Sequence, residues 1–269
     1  MRDIIIQKQD GTAYKLSDYY VKIIDVIVPS VDDVLTSDYV EGGKGIIPLG
    51  TRTDRAPIKV YFDFRAIDRD HFFSLRNDIF KILRGKEWFY LIDNVEPHRR
   101  WKVVCRSFEP QRIWSIGRQT VEFPLISPYA ESTNDTSVPI EWGQGWYWGQ
   151  GLEWGSDSYT YTTSDFIIKN YGDEEVDPRF MDLKITFKGA SNNLRIRNLT
   201  TGDDWQYSGT TTANDTIIID GIRSTKNSLS IVRETNRKLI SLAIGDNNMR
   251  ITGTSGPFTI SVEFRFPYV

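Results

Sequence analysis

Apolar and polar positions alternate with a period of two over most of the chain, which predicts a mainly β protein. In the first half, short runs mix β-branched and aromatic residues and are separated by turn signals such as Asp10-Gly11 and Gly42-Gly43. The run 57–64 places Ile58, Val60 and Phe62 on one face of a strand. We therefore predict strands at 22–28, 57–64, 88–92, 101–108 and 119–126.

One segment of the first half, residues 68–85, has a helical period instead. Its apolar positions recur at intervals of three or four, at Phe72, Leu75, Ile79, Ile82 and Leu83. Asp68 is a suitable N-cap, and Gly85 has the position of a C′ glycine. The first half is thus predicted to be an α+β unit in which one helix covers a sheet.

The second half is predicted to be an antiparallel β-sandwich. A polar stretch, 130–139, separates it from the first half and is typical of a linker. From Asp165 onwards, strand-like runs and turns alternate at intervals of about 8–12 residues. Separate strands are predicted, among others, at 181–189, 193–198, 237–244, 248–252 and 258–266. We expect one domain at 1–133 and another at 134–269, with 134–164 as a Trp/Gly-rich linker and first strand.

Composition and charge exclude several classes of protein. The chain has 269 residues, 39% hydrophobic residues and a formal charge of −3, so a packed core is expected and a duplex-DNA-binding basic face is not. The single cysteine, Cys105, rules out an intramolecular disulfide, and its strand-like neighbours suggest a buried structural thiol. The first ten residues lack a signal-peptide core, and no apolar run reaches the length of a membrane span, so neither export by a usual signal nor membrane insertion is expected.

The residues offer little support for catalysis or for a cofactor. His71 and His98 have no metal-ligand motif around them, and the sequence has neither a nucleophile elbow nor a P-loop. Glu141 and Glu153 could be imagined as a glycosidase pair, but nothing distinguishes them from other surface carboxylates. We therefore predict no catalytic residue, no metal, no cofactor and no enzyme activity.

Two segments are candidates for interaction. Residues 36–57 are long and punctuated by Gly42, Gly43, Lys44 and Gly45, and could be a hairpin or arm that reaches a neighbouring subunit, or a disordered surface loop. Residues 141–155 carry Trp142, Trp146, Trp148 and Trp154, with the motif WGQG repeated. These tryptophans could anchor the segment on the sandwich, dock a partner protein or stack on sugars.

The order of elements resembles that of the distal tail proteins of long-tailed siphophages. The first half resembles their N-terminal domain through VYFDF, DHFFSLRNDIFKIL, WFYLIDN, RRWKVVCRSF and TVEFPLISPYAES. The second half resembles their C-terminal domain through FIIKNYGDEEVDPRFMDLKITFKG, IRNLTTGD and LAIGDNNMRITG. This resemblance implies an α+β ring-forming domain, a galectin-like or carbohydrate-module-like sandwich, and no catalytic residues.

The resemblance also implies a place and partners. It implies a homo-hexameric ring at the virion tail tip, assembled in the bacterial host cytoplasm, that contacts the tail tube, the tape-measure protein and the tip, fibre or receptor-binding proteins. Sequence-specific nucleic-acid binding is not implied. A carbohydrate-binding protein for cell-wall glycans is the alternative, and a glycan hydrolase is a weaker one. The sugar alternative is disfavoured because sugar-binding galectins use a histidine, and the second half has none.

Overall fold

A computed structural model describes residues 2–39, 42, 44–141, 143, 145–153 and 158–269. The chain divides into two compact units. Unit 1 comprises Met1–Ala130 with Val269, and unit 2 comprises Glu131–Tyr268. No helix in the described ranges is both long enough and apolar enough to cross a membrane.

Unit 1 consists of antiparallel strands, one α-helix and one 3-10 turn. Strands β1, β2, β7 and β8 form one sheet in the order β2-β1-β7-β8, and a second sheet has the order β3-β6-β10-β9. The elements are β1 (Ile4–Gln7), β2 (Ala13–Lys15), η1 (Leu16–Tyr19), β3 (Val21–Ile27), β4 (Val31–Asp38), β5 (Ile47–Arg55), β6 (Ile58–Arg65), α1 (Arg69–Leu83), β7 (Phe89–Asp93), β8 (Arg99–Val103), β9 (Gln111–Ile113) and β10 (Ile116–Phe123).

The core of unit 1 follows the predicted alternation. Strand β6 lies between β3 and β10, and Ile58, Val60, Phe62 and Phe64 are all buried on one face. A Cβ atom at Gly117 on β10 would come within 2.2 Å of the Phe64 ring, so this aromatic side chain fills the space above the glycine. The mainly β architecture predicted from the sequence, with one α-helix in the part of the chain that the structure describes, is confirmed.

Helix α1 begins and packs as its sequence pattern predicts. The Asp68 carboxylate accepts a hydrogen bond from the backbone N–H of His71 at 2.8 Å, which satisfies one of the free donors of the first turn. All five predicted apolar positions are buried, and the Phe72 ring lies 5.2 Å from that of Phe64, centroid to centroid.

Gly85 has the predicted C′ position, directly after the C-cap Arg84, but not the left-handed backbone that is usual for glycine there. Gly85 has no positive φ; the helix ends instead at Arg84, whose ψ of 116° turns the chain away. A Cβ atom at Gly85 would lie 2.4 Å from the carbonyl oxygen of Cys105. Glycine is required there because two backbone segments approach each other closely.

Unit 2 is built around two long strands, β14 and β20, which pair with each other. Strand β14 also pairs with β17 along its first part and with β15 along its last, while β20 pairs with β12 and β13 at opposite ends. The elements are β11 (Ala130–Ser132), β12 (Thr160–Tyr161), β13 (Asp165–Asn170), β14 (Leu183–Asn198), β15 (Asp203–Gln206), β16 (Thr210–Thr211), β17 (Thr216–Asp220), β18 (Arg223–Lys226), β19 (Leu229–Ser230), η2 (Val232–Glu234), β20 (Gly245–Phe264) and β21 (Pro267–Tyr268).

The long strands change neighbours where their register is interrupted. The pairing of β14 with β20 shifts between Gly189 and Ser191 and again before Arg195. Gly253 on the facing strand has a φ of 87°, and a Cβ atom there would lie 2.5 Å from the carbonyl oxygen of Asn193. Bulges of this kind bend a strand locally, and here they coincide with the change of pairing partners.

Several predicted strand boundaries of the second half are wrong. The runs 181–189 and 193–198 belong to one strand, β14, and the runs 248–252 and 258–266 belong largely to β20. Residues 237–244 form no strand, although Ile240 and Leu242 are buried. The buried Asn247 side chain accepts from the N–H of Ala243 and donates to its carbonyl, both at 2.8 Å, so a side chain takes the place of a ladder partner.

Candidate assembly surfaces

Strands β4 and β5 form a hairpin, residues 31–55, that is a two-stranded sheet of its own. Their antiparallel register runs from Val31 opposite Arg55 to Asp38 opposite Ile47, with one irregularity near Thr36. Gly42 and Gly45 near the tip have φ values of 80° and 94°, and Lys44 between them is exposed. Residues 36–57 thus belong mainly to a hairpin and not to a disordered surface loop. Gly43 lies outside the described residues.

The hairpin exposes apolar side chains on both faces. In the described part of the segment 34–52 every residue is exposed, including Val34, Leu35, Tyr39, Ile46, Ile47 and Leu49. An isolated two-stranded ribbon is only marginally stable in water, and its unpaired strand edges can pair with another chain. The hairpin therefore has the physical properties of an assembly surface, and its contact with a neighbouring subunit stays a prediction.

Trp146 is fully buried in unit 2. Its indole N–H donates to the carbonyl oxygen of Pro139 at 3.1 Å, and its ring centroid lies 5.6 Å from that of Phe266. A Cβ atom at Gly145 would lie 2.4 Å from the Asn134 side chain, so the segment is tightly packed just before the tryptophan. Trp146 thus anchors the Trp/Gly-rich segment on the sandwich.

Gln150 fastens the same segment at a second point. Its buried amide accepts from the backbone N–H of Tyr147 at 2.9 Å and donates to the Tyr268 hydroxyl at 3.1 Å. Since both ends of the amide are bonded, the side chain satisfies its polar groups while it ties 147–150 to the last strand of unit 2.

The tryptophans do not share one environment. Trp148 is 70% exposed, whereas Trp146 is inaccessible to a sugar or a partner. Trp142 and Trp154 lie outside the described residues. The anchoring interpretation therefore applies to Trp146, and the two interaction interpretations stay predictions for Trp148.

The structure describes all four residues that were considered for catalysis or for metal binding. Glu141 and Glu153 are exposed, and Lys169 donates to the Glu153 carboxylate at 2.6 Å. The His71 imidazole accepts from the backbone N–H of Ile67 at 3.1 Å, next to the helix N-terminus. His98 is half-buried, and burial lowers its pKa, with the charge of Arg99 adding to the effect. Across the described ranges, no group of three His, Cys, Asp or Glu side chains could hold a metal ion.

Cys105 lies beyond the end of β8, so the predicted strand 101–108 is too long. The thiol is half-buried at a surface pocket of about 560 Å³ and donates to the carbonyl of Arg106 at 3.1 Å. Burial raises the pKa of the Cys105 thiol to about 12, and the positive charge of nearby Lys8 acts in the opposite direction. A thiolate is strongly disfavoured here.

We expect Cys105 to resist alkylation at pH 8 in the native protein. With a pKa of about 12, its thiolate fraction at that pH is more than about a thousandfold below that of an ordinary cysteine. Iodoacetamide labelling followed by mass spectrometry measures this, with the urea-unfolded protein as the control. Native and unfolded chains that label at the same rate would contradict the prediction.

Comparison with known proteins gives one family match, to residues 9–125. They match the family described as phage tail protein RIFT-related domain, and this range includes the hairpin and helix α1. No curated protein sequence gives a significant match to the chain.

Solved structures with the same fold cover nearly the whole chain. The Dit protein (gp 19.1) of phage SPP1, described as a paradigm of the hub adsorption apparatus in phages that infect Gram-positive bacteria, is 13% identical with a TM-score of 0.71, over 99% of both chains. A chain of the phage p2 baseplate in its activated conformation with Sr is 12% identical with a TM-score of 0.52, over 98% of both chains.

The family match and the fold agree with each other. Both point to the same group of phage tail proteins that the sequence resembles. Residues 9–125 match the family model described as phage tail protein RIFT-related domain, and the chain as a whole has the same fold as the Dit protein of phage SPP1.

Proposed function

We propose that this chain is a structural hub of a siphophage tail tip, which forms a homo-hexameric ring that joins the tail tube to the tip or receptor-binding apparatus. Residues 1–133 form the ring, and residues 134–269 form the galectin-like outer sandwich. The tube, the tape-measure protein and the tip proteins are its partners, and it assembles in the host cytoplasm before it becomes part of the virion.

The observation that carries this proposal is the exposed β4–β5 hairpin. It has apolar side chains on both faces and pairs with no other described strand. A closed ring needs head-to-tail contacts, in which one surface of each copy meets a different surface of the next. A projecting ribbon supplies one such surface, because its side chains and its free strand edges can both be covered by a neighbour.

The mass in solution tests the ring. Light scattering of the purified protein should show an assembly of about six times the 31.1 kDa chain mass as concentration rises. Class averages from negative-stain electron microscopy should then show six-fold rings. A chain that stays monomeric at every concentration, alone and mixed with the tube protein, would overturn the proposal.

A further inference from the structure

Three arginines surround one phenylalanine on the outer face of unit 1. Arg69 and Arg76 on α1 and Arg112 on β9 place their guanidinium carbons 6.0, 5.1 and 5.6 Å from the centre of the Phe73 ring. These residues form what we call the arginine cluster. The ring face attracts each cation, so the three positive charges are held close together at the surface.

The arginine cluster has no ion-pair partner among the described residues of unit 1. No carboxylate oxygen lies within 4.0 Å of the guanidinium groups of Arg69, Arg76 or Arg112 in the described part of the chain. Arg76 donates to the neutral Asn77 amide, and Arg112 donates to the carbonyl of Trp114 at 2.8 Å. By contrast, Arg118 on the adjacent strand is paired with Asp63 at 3.0 Å.

An exposed tryptophan follows Arg112 of the arginine cluster by two residues. Trp114 follows β9, is 89% exposed and has a φ of 60°, a conformation uncommon for a non-glycine residue. Tryptophan and arginine together are the side chains most enriched at the centres of protein interfaces. The arginine cluster and Trp114 therefore fit a partner that presents carboxylates beside an apolar side chain.

The β4–β5 hairpin of the same protein presents such a surface. Asp32 and Asp54 are register partners, so their carboxylates project from the same face of the ribbon on directly opposed residues. Opposed like charges destabilise a ladder, and here only Arg52, 2.8 Å from Asp54, offsets the repulsion. Asp32 has no partner among the described residues, and the apolar Val34 follows it on that face.

We propose that the arginine cluster of one copy receives the Asp32–Asp54 face of the hairpin of a neighbouring copy. This inference rests on the proposed ring and names the two surfaces that meet in it. The two surfaces differ, so the contact is head-to-tail, and every copy of a closed ring uses each surface once. The contact places the guanidinium groups of the arginine cluster against the carboxylates of Asp32 and Asp54, which face each other with only Arg52 beside them among the described residues. It also places Val34 against Trp114.

Charge reversal on either surface tests the contact. The variants R76E/R112E and D32K/D54K should each weaken assembly by at least about tenfold, because each places like charges across the contact. The variant that carries all four substitutions restores opposite charges and should regain assembly. Light scattering across a concentration series measures the effect, and raised salt should weaken the wild-type assembly in parallel.

The control is K188E/R233E, which lowers the net charge as much as R76E/R112E does, but at two exposed residues of unit 2. It should assemble as the wild type does. Because D32K/D54K alters only exposed side chains, it tests the contact even where R76E/R112E disturbs folding, which circular dichroism would reveal.

The outcomes separate this inference from the ring itself. Assembly lost in both reversed variants and regained in the fourfold variant supports the contact. A wild-type hexamer that both reversed variants also form overturns the contact and leaves the ring intact. If R76E/R112E loses duplex-DNA binding but still assembles, the contact is overturned as well, and the arginine cluster is then a binding site for DNA phosphates. A wild-type chain that never assembles overturns both proposals.

Discussion

Replacement of Trp146 by alanine is expected to lower the free energy of unfolding of unit 2 by about 3–5 kcal/mol. The side chain is fully buried against Phe266, and its removal leaves a large cavity beside the last strands of the sandwich. The carbonyl of Pro139 also accepts from the N–H of Glu141 at 2.9 Å, so it keeps a donor in the variant. The expected destabilisation therefore comes mainly from lost packing contacts and not from a lost hydrogen bond.

Trp148→Ala is the matched control, because it removes the same type of side chain two residues away, at an exposed position. It should alter stability by no more than about 0.5 kcal/mol. Thermal unfolding of the full chain measures both variants, and hydrogen exchange of peptides from 245–264 assigns the transition to unit 2. Equal effects of the two substitutions would show that Trp146 is not the anchor.

The sequence predicts helix α1 well because several local signals agree there. The apolar period, the Asp68 cap and the breaks at both ends all indicate the same element, and no distant contact is needed to decide it. The strand β6 is predicted equally well, since its two faces differ in burial.

Long-range contacts decide what the local pattern could not. The tetrapeptide WGQG begins at both 142 and 148, yet Trp148 is exposed, while Trp146 between the two repeats is buried. Contact with Phe266, far away in the chain, selects the buried one. In the same way, β14 and β20 continue through glycines that look like turns, because each pairs with the other on both sides of the interruption.

The arginine cluster was missed for a related reason. Arg76 is easily assigned to the exposed face of a helix, where single charges are usually just solvated. Arg112 lies on β9, and only the packing of that strand beside α1 brings its guanidinium over the same ring. An unusual excess of arginine over carboxylate near one aromatic residue is visible only in three dimensions.

Removal of the hairpin is expected to abolish assembly and leave the fold of the single chain intact. Asp33 and Thr53 are register partners, so residues 34–52 can be replaced by Asn-Gly, which closes a two-residue hairpin between them. Every described residue in the excised range is exposed, so no core contact of unit 1 is lost. What is lost is the apolar ribbon that a neighbouring copy would cover.

Two measurements check this expectation on the shortened chain. Its thermal transitions should stay within a few degrees of the wild type, because little buried area changes. Its mass by light scattering should be that of a monomer at concentrations where the wild type is assembled. Substitution of exposed apolar residues in unit 2, I222S/L229S, is the control and should leave the wild-type assembly unchanged. Full assembly of the shortened chain would remove residues 34–52 from the ring contact and leave it to the Asp32–Asp54 base of the hairpin or to another edge of unit 1.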